Sequence, residues 1–365
     1  MEKVMIVTSA HPWDDERVFY KEARSLAKKY DLYLCAIADF EEKVIDNVKI
    51  YGLKKQKRHK RIHNHFEILK HIIKIKPKVV HFQDPDLLLL GLFLKIFMFK
   101  KIIYDVHEDY PLAFKNRHYI PKYLKGIFSW LFNFIEKFTS LWFDVVITVT
   151  DVIKNKFWNK NCFTIKNYPV LDNWIVKKDF VEKEELRLVY IGNVSVERGI
   201  DNIITAVKEL NHLNLTLNIY GPFENKNYQE KLSMLNVKNI SIFGRVPKSQ
   251  IPEILNKNDV GFVTLLPYQR YIDSLPLKLF EYMAAGVAII ASNFPTWREI
   301  IESSESGLLV DPTDIDSIKQ AIIYFYNNRE EIIRMGQNGM KAIEKYNWTN
   351  EESKLYEVYN RILKK

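Results

Sequence analysis

The sequence predicts an α/β protein made of two doubly wound, Rossmann-like domains that face a cleft. Strand-like apolar runs alternate with amphipathic helical stretches along the whole 365-residue chain, which is typical of parallel sheets covered by helices. The pattern restarts after a polar break, and a hydrophobic content of 47% permits two buried cores. Ligands of such folds bind at the carboxyl ends of the strands, so we expect the functional residues there.

The strand pattern is regular in both halves of the chain. The first half has apolar runs of strand length separated by helical stretches such as Arg17–Tyr30. The second half repeats the pattern, with helices such as Asp201–Glu209 between the runs. The predicted strands are Val4–Thr8, Asp31–Ile37, Val79–Phe82, Ile102–Val106 and Val145–Val149, then Arg187–Ile191, Leu215–Tyr220, Ile240–Phe243, Val260–Thr264, Ala288–Ala291 and Leu308–Val310.

The domain boundary is predicted between Tyr168 and Glu185. This segment contains a proline, loses helical periodicity and ends in charged residues, as a linker does. The first domain is therefore expected over residues 1–168 and the second over 169–348. The last stretch, 349–365, has helical periodicity, and we expect it to pack back on the first domain.

The composition favours a cytoplasmic protein. Cys35 and Cys162 lie far apart and form neither a disulfide framework nor a metal-binding spacing, which fits a reducing compartment. The N-terminus lacks the apolar region and cleavage site of a signal peptide. The most apolar window, Leu87–Phe99, is interrupted by Lys95 and is too short to cross a bilayer, so a buried helix is expected.

The net charge of +9 is concentrated in one segment. Residues Lys54–Lys78 contain a single acid, Glu67, and such a cluster seeks an anionic surface. Apolar residues inside it recur on one face of a predicted helix, and two interpretations remain open. The helix packs on the core with a solvated basic face, or it leans on anionic lipid as a peripheral enzyme does. The apolar residues are Ile62, Phe66, Leu69 and Ile73.

The loop after the first strand carries several polar side chains. It lacks the G-x-G-x-x-G pattern, so no dinucleotide cofactor is expected on the first domain. Either the loop caps a helix through an aspartate, or it lines the cleft and contacts a substrate. The residues concerned are His11, Asp14, Asp15 and Arg17.

The first strand of the second half leads into a glycine turn. Gly192 lets a ligand approach the backbone closely, and Arg198 in the following loop can pair with diphosphate oxygens. Taken alone this signal is weak, because an arginine in a loop is more often a solvated charge.

The segment Gly261–Glu299 is the most informative. A loop ends at Asp273, and Pro276 is expected in the first turn of a helix that Gly286 terminates. The backbone N–H groups around Ser274–Leu277 are then a ready anion site. Two charged residues follow inside the helix, and the alternative for them is a simple surface ion pair at i, i+3. These residues are Lys278 and Glu281.

These motifs carry a family resemblance. The segment DSLPLKLFEYMAAGVAIIASNFPTWREII resembles the donor-binding signature of glycosyltransferase family 4, whose members are retaining enzymes of GT-B architecture. YIGNVSVERGIDNIITAV resembles the family's glycine-and-basic loop, and SGLLVDPTDIDSIKQAI its closing segment. SAHPWDDERVFYKEARSLAKKYDLYL and YDVHEDYP look like one bacterial branch of the family.

The resemblance implies a role for each motif residue. Arg198 occupies the position of a diphosphate ligand, and Glu281, the second acid of an E-x7-E motif, would hold the ribose. Asp273 stands where the family has the first glutamate, so its reach to the sugar is shorter, and Asn193 replaces a basic residue. His107 matches a histidine near the transferred sugar. The other implied donor-binding residues are Gly192, Ser274, Leu275 and Lys278, with Arg245 and Val246 at the base and His11, Asp15 and Arg17 on the acceptor side.

The implied activity is retaining transfer of a hexose-type sugar from a UDP- or GDP-sugar to a glycan or lipid-linked acceptor, in cell-surface polysaccharide synthesis. The family needs no metal and no cofactor, and residues 54–78 would place the enzyme at the inner face of the membrane. No nucleic-acid partner is expected. The alternatives are a sugar-nucleotide epimerase or hydrolase, a basic nucleic-acid-binding protein, and a non-catalytic partner subunit.

Overall fold

The computed structural model describes residues 1–115, 121, 123–171, 184–235 and 237–364. The chain divides into two units. Unit 1 comprises Met1–Asn167 and Trp348–Lys365, and unit 2 comprises Tyr168–Asn347. The division therefore lies within one residue of both predicted boundaries, while most of the predicted linker, residues 172–183, lies outside the described residues.

Unit 1 is built on an eight-stranded sheet of order β3-β4-β2-β1-β5-β6-β7-β8. All pairs are parallel except β3 with β4. The strands are β1 (Lys3–Pro12), β2 (Asp31–Ile37), β3 (Glu42–Ile45), β4 (Val48–Leu53), β5 (Val79–Phe82), β6 (Lys101–Val106), β7 (Val145–Thr148) and β8 (Cys162–Thr164). The helices before the domain boundary are α1 (Arg24–Ala27), α2 (Ile62–Ile75), α3 (Leu88–Phe97), α4 (Tyr110–Lys115), α5 (Lys125–Ser140) and α6 (Asp151–Lys154).

The five strands predicted in this half are confirmed, and the sequence pattern missed three more. Strands β3 and β4 form a hairpin whose turn residues, Asp46 and Asn47, both have positive φ angles of 50° and 62°. Such turns favour Asp and Asn, but the strand β3 is short and exposed, so it carries no apolar alternation. β8 has only three residues.

The predicted helix Arg17–Tyr30 is shorter and irregular. A wide π-type turn covers Val18–Ala23 and only Arg24–Ala27 is α-helical. The wide turn carries the i→i−5 hydrogen bond from Glu22 N–H to the Arg17 carbonyl, 2.9 Å long. It brings the Arg17 and Glu22 side chains together in a buried ion pair, and wide turns of this type are frequent at functional sites.

One face of the unit 1 sheet is covered by α2, α3 and α5. Alternate strand residues such as Met5, Val80 and Ile102 form a buried cluster with α2 and α3 on that side. The helix predicted from the apolar window Leu87–Phe99 is present as α3, but it is only partly buried.

Unit 2 has a six-stranded parallel sheet of order β11-β10-β9-β12-β13-β14. The predicted strands are confirmed to within two residues as β9 (Leu186–Ile191), β10 (Leu215–Tyr220), β11 (Ile240–Ile242), β12 (Val260–Val263), β13 (Ala288–Ser292) and β14 (Gly307–Val310). Strand order reverses between β9 and β12, which is where ligands bind in such sheets. The helices are α7 (Ile200–Glu209), α8 (Lys226–Ser233), α9 (Ile251–Asn256), α10 (Gln269–Ile272), α11 (Leu277–Ala284), α12 (Pro295–Ser304), α13 (Ile315–Asn327) and α14 (Arg329–Ala342).

The last helix, α15 (Trp348–Leu363), belongs to unit 1. Its Trp348 Nε1 donates to Ser25 Oγ over 2.9 Å, and its Tyr359 hydroxyl lies 2.9 Å from His81 Nδ1 of β5. Both aromatic side chains are buried, so the end of the chain is an integral part of this core. Within the part of the chain that the structure describes, no helix has the length and apolarity to cross a bilayer.

Candidate functional site

At the point where the strand order of the unit 2 sheet reverses, a glycine turn lies beside a buried lysine. Gly192 follows β9 with a φ of 139°, and a Cβ atom added there would lie 3.0 Å from Lys278 Nζ. The Lys278 amino group therefore lies against the glycine turn, in space that a side chain at position 192 would fill. This is an arrangement that admits an anion to the backbone and to the cation together.

Lys278 lies in the first turn of α11 and is only 6% exposed. Its Nζ makes no hydrogen bond with any of the described residues and lies 3.7 Å from the centre of the Tyr190 ring. Burial lowers the pKa of Lys278 well below its usual value, and the charge of Arg198 lowers it further, against a smaller opposite effect of Glu281. A buried cation without an acceptor costs free energy unless an anion accompanies it.

Arg198 is held at the same place by a tight loop. Gly199 has a φ of 75°, and a Cβ atom there would lie 2.1 Å from the Thr264 carbonyl oxygen after β12, so only glycine fits. The Arg198 guanidinium lies 5.0 Å from the centre of the Tyr271 ring, whose hydroxyl donates to Glu197 over 3.1 Å. Two cations thus meet at the reversal point, which is the electrostatic requirement for holding a dianion such as a diphosphate.

The start of α11 differs in detail from the prediction. Pro276 is the N-cap residue and the helix begins at Leu277, because the proline adopts an extended ψ of 128°. The Ser274 N–H and hydroxyl both donate to the Tyr271 carbonyl, so Ser274 does not supply a free N–H group. Leu279 N–H donates to the Pro276 carbonyl over 3.1 Å, so the first-turn donors that are open to an anion are those of Leu277 and Lys278. As predicted, Gly286 ends the helix, with a φ of 65°.

Two carboxylates flank this turn. Asp273 follows α10 and accepts a hydrogen bond of 3.1 Å from Gln269 Nε2. Glu281 is half-buried one turn into α11, and its charge acts on Lys278. Leu275, between them in sequence, packs against the apolar cluster of this side of the sheet. Glu281 therefore lies in the same helix as Lys278, whereas Asp273 lies in the short connection between α10 and α11.

The remaining predicted donor residues lie at neighbouring strand ends. Asn193 is exposed, and its carbonyl accepts from the Tyr190 hydroxyl over 2.7 Å. Arg245 is exposed and Val246 half-buried, just after β11 and the turn at Gly244. These residues follow strands β9 and β11, which lie on the same side of the reversal point, so they are at the carboxyl edge of the unit 2 sheet.

Unit 1 contains a cavity of about 980 Å³ at the carboxyl ends of β1, β5 and β6. One part of its wall is polar and another is apolar. The polar side chains include His11, Asp84, His107 and two arginines, while the apolar wall comes from Leu124 and α5. The residues that most define it are His11, Arg58, Arg61, Asp84, His107 and Phe128.

His11 lies at the end of β1, which extends beyond its predicted boundary at Thr8. Its Nδ1 is 3.2 Å from Asp15 Oδ2, and its Nε2 is 3.5 Å from Asp84 Oδ1. Burial lowers the pKa of His11, but the hydrogen bond to Asp15 and the charge of Asp84 outweigh it, so the pKa is raised. Burial raises the pKa of Asp15, but the hydrogen bonds from His11 and from the Val18 N–H outweigh it, so the pKa is lowered.

Asp15 performs the capping role. Its Oδ1 accepts from the N–H groups of Arg17 and Val18 over 2.9 and 3.0 Å. The interpretation of this loop as a helix cap is therefore confirmed for Asp15, while His11 alone of the three predicted acceptor-side residues lines the cavity.

The expectation that Arg17 contacts an acceptor needs correction. Arg17 is buried and pairs with both oxygens of Asp105 over 3.1 Å and with Glu22 over 2.9 Å, while its Nη1 donates to the Ile165 carbonyl. Its guanidinium is thus engaged inside the protein. The sequence offered no sign of this, because Asp105 is 88 residues away.

His107 is oriented by the same group. Its Nε2 lies 3.2 Å from Asp105 Oδ2, and its ring centre is 5.8 Å from that of His11. Burial raises the pKa of Asp105, but Arg17 and His107 outweigh it, so the pKa lies well below its usual value. Burial and the charge of Asp105 raise the pKa of Glu22, against the opposing charge of Arg17.

Three of these side chains lie close enough together to be considered as ligands of a metal ion. One ligand atom each of Glu22, Asp105 and His107 lies within 4.8 Å of the others. The Arg17 guanidinium, however, already contacts both carboxylates. A divalent ion there would have to displace a buried arginine, so the donor set does not fit a metal.

Sequence reasoning missed Asp84 and the two cavity arginines. Asp84 accepts hydrogen bonds from Thr8 Oγ1 and Ser9 N, both 2.6 Å long, and so holds the end of β1. Its position two residues after β5 was a usable signal, because His107 also follows a strand, β6, at the same edge of the sheet. Arg58 and Arg61 were seen only as part of the basic segment.

Two family sequence models match the chain in succession. The family described as Glycosyltransferase Family 4 matches residues 15–164, and the family described as Glycosyl transferases group 1 matches residues 172–342. Together they span most of both units.

Individual relatives are distant. An uncharacterized 41.2 kDa protein in the cps region of Klebsiella pneumoniae is 24% identical over 183 residues, which is 49% of this chain and 48% of that protein. The chain thus spans about half the length of that relative. The uncharacterized glycosyltransferase MJ1178 of Methanocaldococcus jannaschii is 22% identical over 350 residues, 92% of this chain and 91% of that protein.

Solved structures show the same architecture. Sucrose-phosphate synthase from Thermosynechococcus elongatus superposes with a TM-score of 0.82 at 14% identity, over 100% of this chain and 99% of that one. Anabaena Alr3699/HepE in complex with UDP-glucose superposes with a TM-score of 0.75 at 12% identity, over 99% and 100% of the two chains. At these identities the likeness establishes the fold alone.

Proposed function

We propose that this protein, which belongs to glycosyltransferase family 4 and has the GT-B architecture, moves a hexose-type sugar from a UDP- or GDP-sugar to a glycan or lipid-linked acceptor. The anomeric configuration is retained and the product serves cell-surface polysaccharide synthesis. The donor binds unit 2, and the acceptor binds the cavity of unit 1. HepE, of the same architecture, is described in complex with UDP-glucose, which supports a donor of this class.

The observation that carries the proposal is the buried amino group of Lys278 beside Gly192, which has no hydrogen-bond acceptor among the described residues. A diphosphate at this point would pair with Lys278 and Arg198 and accept from the first-turn N–H groups of α11. Glu281 would accept hydrogen bonds from the ribose hydroxyls. Asp273 would meet the sugar, and Arg245 and Val246 would flank the base.

The same charges support catalysis. The acceptor hydroxyl attacks the anomeric carbon on the face from which the diphosphate leaves, and its proton passes to a leaving phosphate oxygen. Negative charge builds up on that diphosphate, and Lys278, Arg198 and the helix N-terminus stabilise it. His107, fixed by Asp105, would hold a hydroxyl of the transferred sugar. Two cations supply the charge that a divalent ion provides elsewhere, so transfer is expected to persist in EDTA.

A thermal-shift panel of UDP-, GDP- and ADP-sugars tests the donor site. We expect one nucleotide to stabilise the wild-type protein, and the shift to disappear in Lys278→Met, Arg198→Ala and Glu281→Ala. The exposed Lys257, which pairs with Glu253, provides the matched control Lys257→Met, and that variant should respond like the wild type. An undiminished shift in Lys278→Met would refute the assignment.

Turnover separates transfer from the alternatives. A transferase releases nucleotide rapidly only when an acceptor is present, whereas a hydrolase or epimerase consumes the donor alone. Rapid loss of the donor without an acceptor would favour those activities over the proposed function.

A further inference from the structure

Helix α5 buries its polar side and exposes its apolar side, which is the reverse of an ordinary surface helix. Its buried residues are polar: Ser129 donates to the Pro111 carbonyl over 2.7 Å, and Glu136 accepts from the Tyr104 hydroxyl over 2.7 Å. Thr139 and Ser140 are buried beside them. A helix on a water-exposed surface buries its apolar side instead. The outward residues here are Ile127, Phe128, Trp130, Leu131, Phe134, Ile135 and Phe138, all exposed.

The apolar surface continues onto α3, which packs beside α5. There Leu89, Phe93, Ile96 and Phe97 are exposed, the last by 68%. Trp142 and Trp158 are also exposed, and Trp158 contacts Phe134 edge to face. We call the outward residues of α3 and α5 with these two tryptophans the apolar face. Most exposed large apolar side chains of the described residues belong to it or to α2. Water-exposed patches of this extent mark interaction sites.

Charge identifies the partner. The sequence has no acid from Leu87 to Tyr104, and the single acid of α5, Glu136, is buried and directed inward. Lysines stand at the edges of the apolar face, and Lys137 Nζ lies 5.6 Å from the centre of the Trp158 ring. Aromatic residues bordered by lysines fit the interfacial region of an anionic bilayer. The lysines are Lys95, Lys100, Lys101, Lys125 and Lys137, of which Lys95 and Lys101 pair with Asp144.

We propose that the apolar face seats unit 1 on an anionic lipid bilayer, with α5 lying in the plane of the interface. The 16 residues of α5 are too few to cross the membrane but enough for an interfacial helix. A second copy of the chain fits less well, because it would bring two lysine borders of the same sign together.

Helix α2, which lies in the basic segment 54–78, adds exposed apolar residues to the same layer of helices. On α2 the buried residues are Asn64, Ile68, Ile72 and Ile75. Of the predicted apolar stripe, Ile62, Phe66 and Ile73 are exposed and only Leu69 packs against the core. The helix therefore packs on the core mainly through residues outside the predicted stripe, and contact of its outward side with lipid stays a prediction. The larger apolar face of α3 and α5 was not expected from the sequence.

The cavity of unit 1 connects to this surface. Phe128 is exposed on α5 and also lines the cavity, as do Arg58 and Arg61. A lipid-linked acceptor can then lie with its chain in the bilayer along α5 and its anionic linkage near the arginines. This consequence, unlike the docking itself, rests on the proposed function.

Vesicle sedimentation with the full chain tests the docking. Vesicles of phosphatidylcholine are compared with vesicles that also contain phosphatidylglycerol, using wild type and the double variant Trp130→Glu/Phe134→Glu. The matched control is Val44→Glu/Met234→Glu, which changes two exposed apolar residues outside the apolar face. We expect binding to the anionic vesicles, a loss of about tenfold or more in the first variant, and none in the control.

Equal binding of both variants would overturn the proposal, as would equal binding of the wild type to neutral and anionic vesicles. A stable dimer that the Trp130→Glu/Phe134→Glu variant abolishes, without vesicle binding, would assign the face to a second copy instead. Thermal shift with UDP and GDP shows that the variant is folded. It also separates failure of docking from failure of the proposed function, since the donor site lies in unit 2.

Discussion

At the scale of single residues, Lys278 links binding to protonation. Burial and Arg198 hold its pKa well below the usual value in the free protein, and an adjacent diphosphate would raise it. Between those two pKa values nucleotide binding takes up a proton, so affinity falls as pH rises through that window.

Calorimetric titration with UDP or GDP in two buffers of different ionisation enthalpy measures this uptake. We expect it to vanish in Lys278→Met wherever residual binding is measurable. Unchanged uptake in that variant would assign the proton to another group.

Gly199 sets the position of Arg198. Replacing it by alanine forces a side chain into a left-handed conformation and towards the Thr264 carbonyl, so Gly199→Ala is expected to cost about 2 kcal/mol of unfolding free energy or more. Chemical denaturation measures this loss. The control is Gly126→Ala, in α5, where the added Cβ meets nothing within 4 Å and stability should hold or rise slightly.

At the scale of elements, the buried side of α5 makes stability depend on pH. Burial raises the pKa of Glu136 to about 8, against the opposing hydrogen bond from Tyr104, while the ordinary value is 4.5. Between these values the folded protein holds a proton that the unfolded chain has lost. The free energy of unfolding therefore falls as pH rises, by up to about 1.4 kcal/mol per pH unit.

Denaturation at several pH values from 5 to 8 (roughly the window between the two pKa values) tests this. Glu136→Gln keeps an acceptor for Tyr104 and should flatten the slope, whereas the exposed control Glu41→Gln should not. An unaltered slope in Glu136→Gln would show that the pH dependence originates elsewhere.

The same elements show where sequence patterns suffice. Gly192 directly follows strand β9, and Lys278 and Glu281 lie three residues apart within α11, so each of these two motifs was identifiable from local spacing. The engagement of Arg17 was not, since its partner Asp105 comes from another strand. The reversed side of α5 was equally hidden, because periodicity reports that a helix has an apolar side and does not say which neighbour covers it.

At the scale of the whole molecule, the end of the chain completes unit 1. Truncation of the buried Trp348 to alanine removes its packing and the bond to Ser25, with an expected cost of about 3–5 kcal/mol. Hydrogen exchange should accelerate in β1 and β5 more than in β9 and β13. The exposed Trp158→Ala should change stability little. Equal acceleration in both units would contradict this assignment of α15.

The sequence by itself determined the α/β class, the two successive sheets and the donor-side motif, because each depends on residues close together in the chain. Only the tertiary structure decided what is buried beside what. It left Lys278 without an acceptor among the described residues, enclosed Arg17 with Asp105 and Glu22, and turned the aromatic side of α5 outward. Burial and charge compensation depend on residues far apart in sequence, and they decide which of the predicted residues face a ligand.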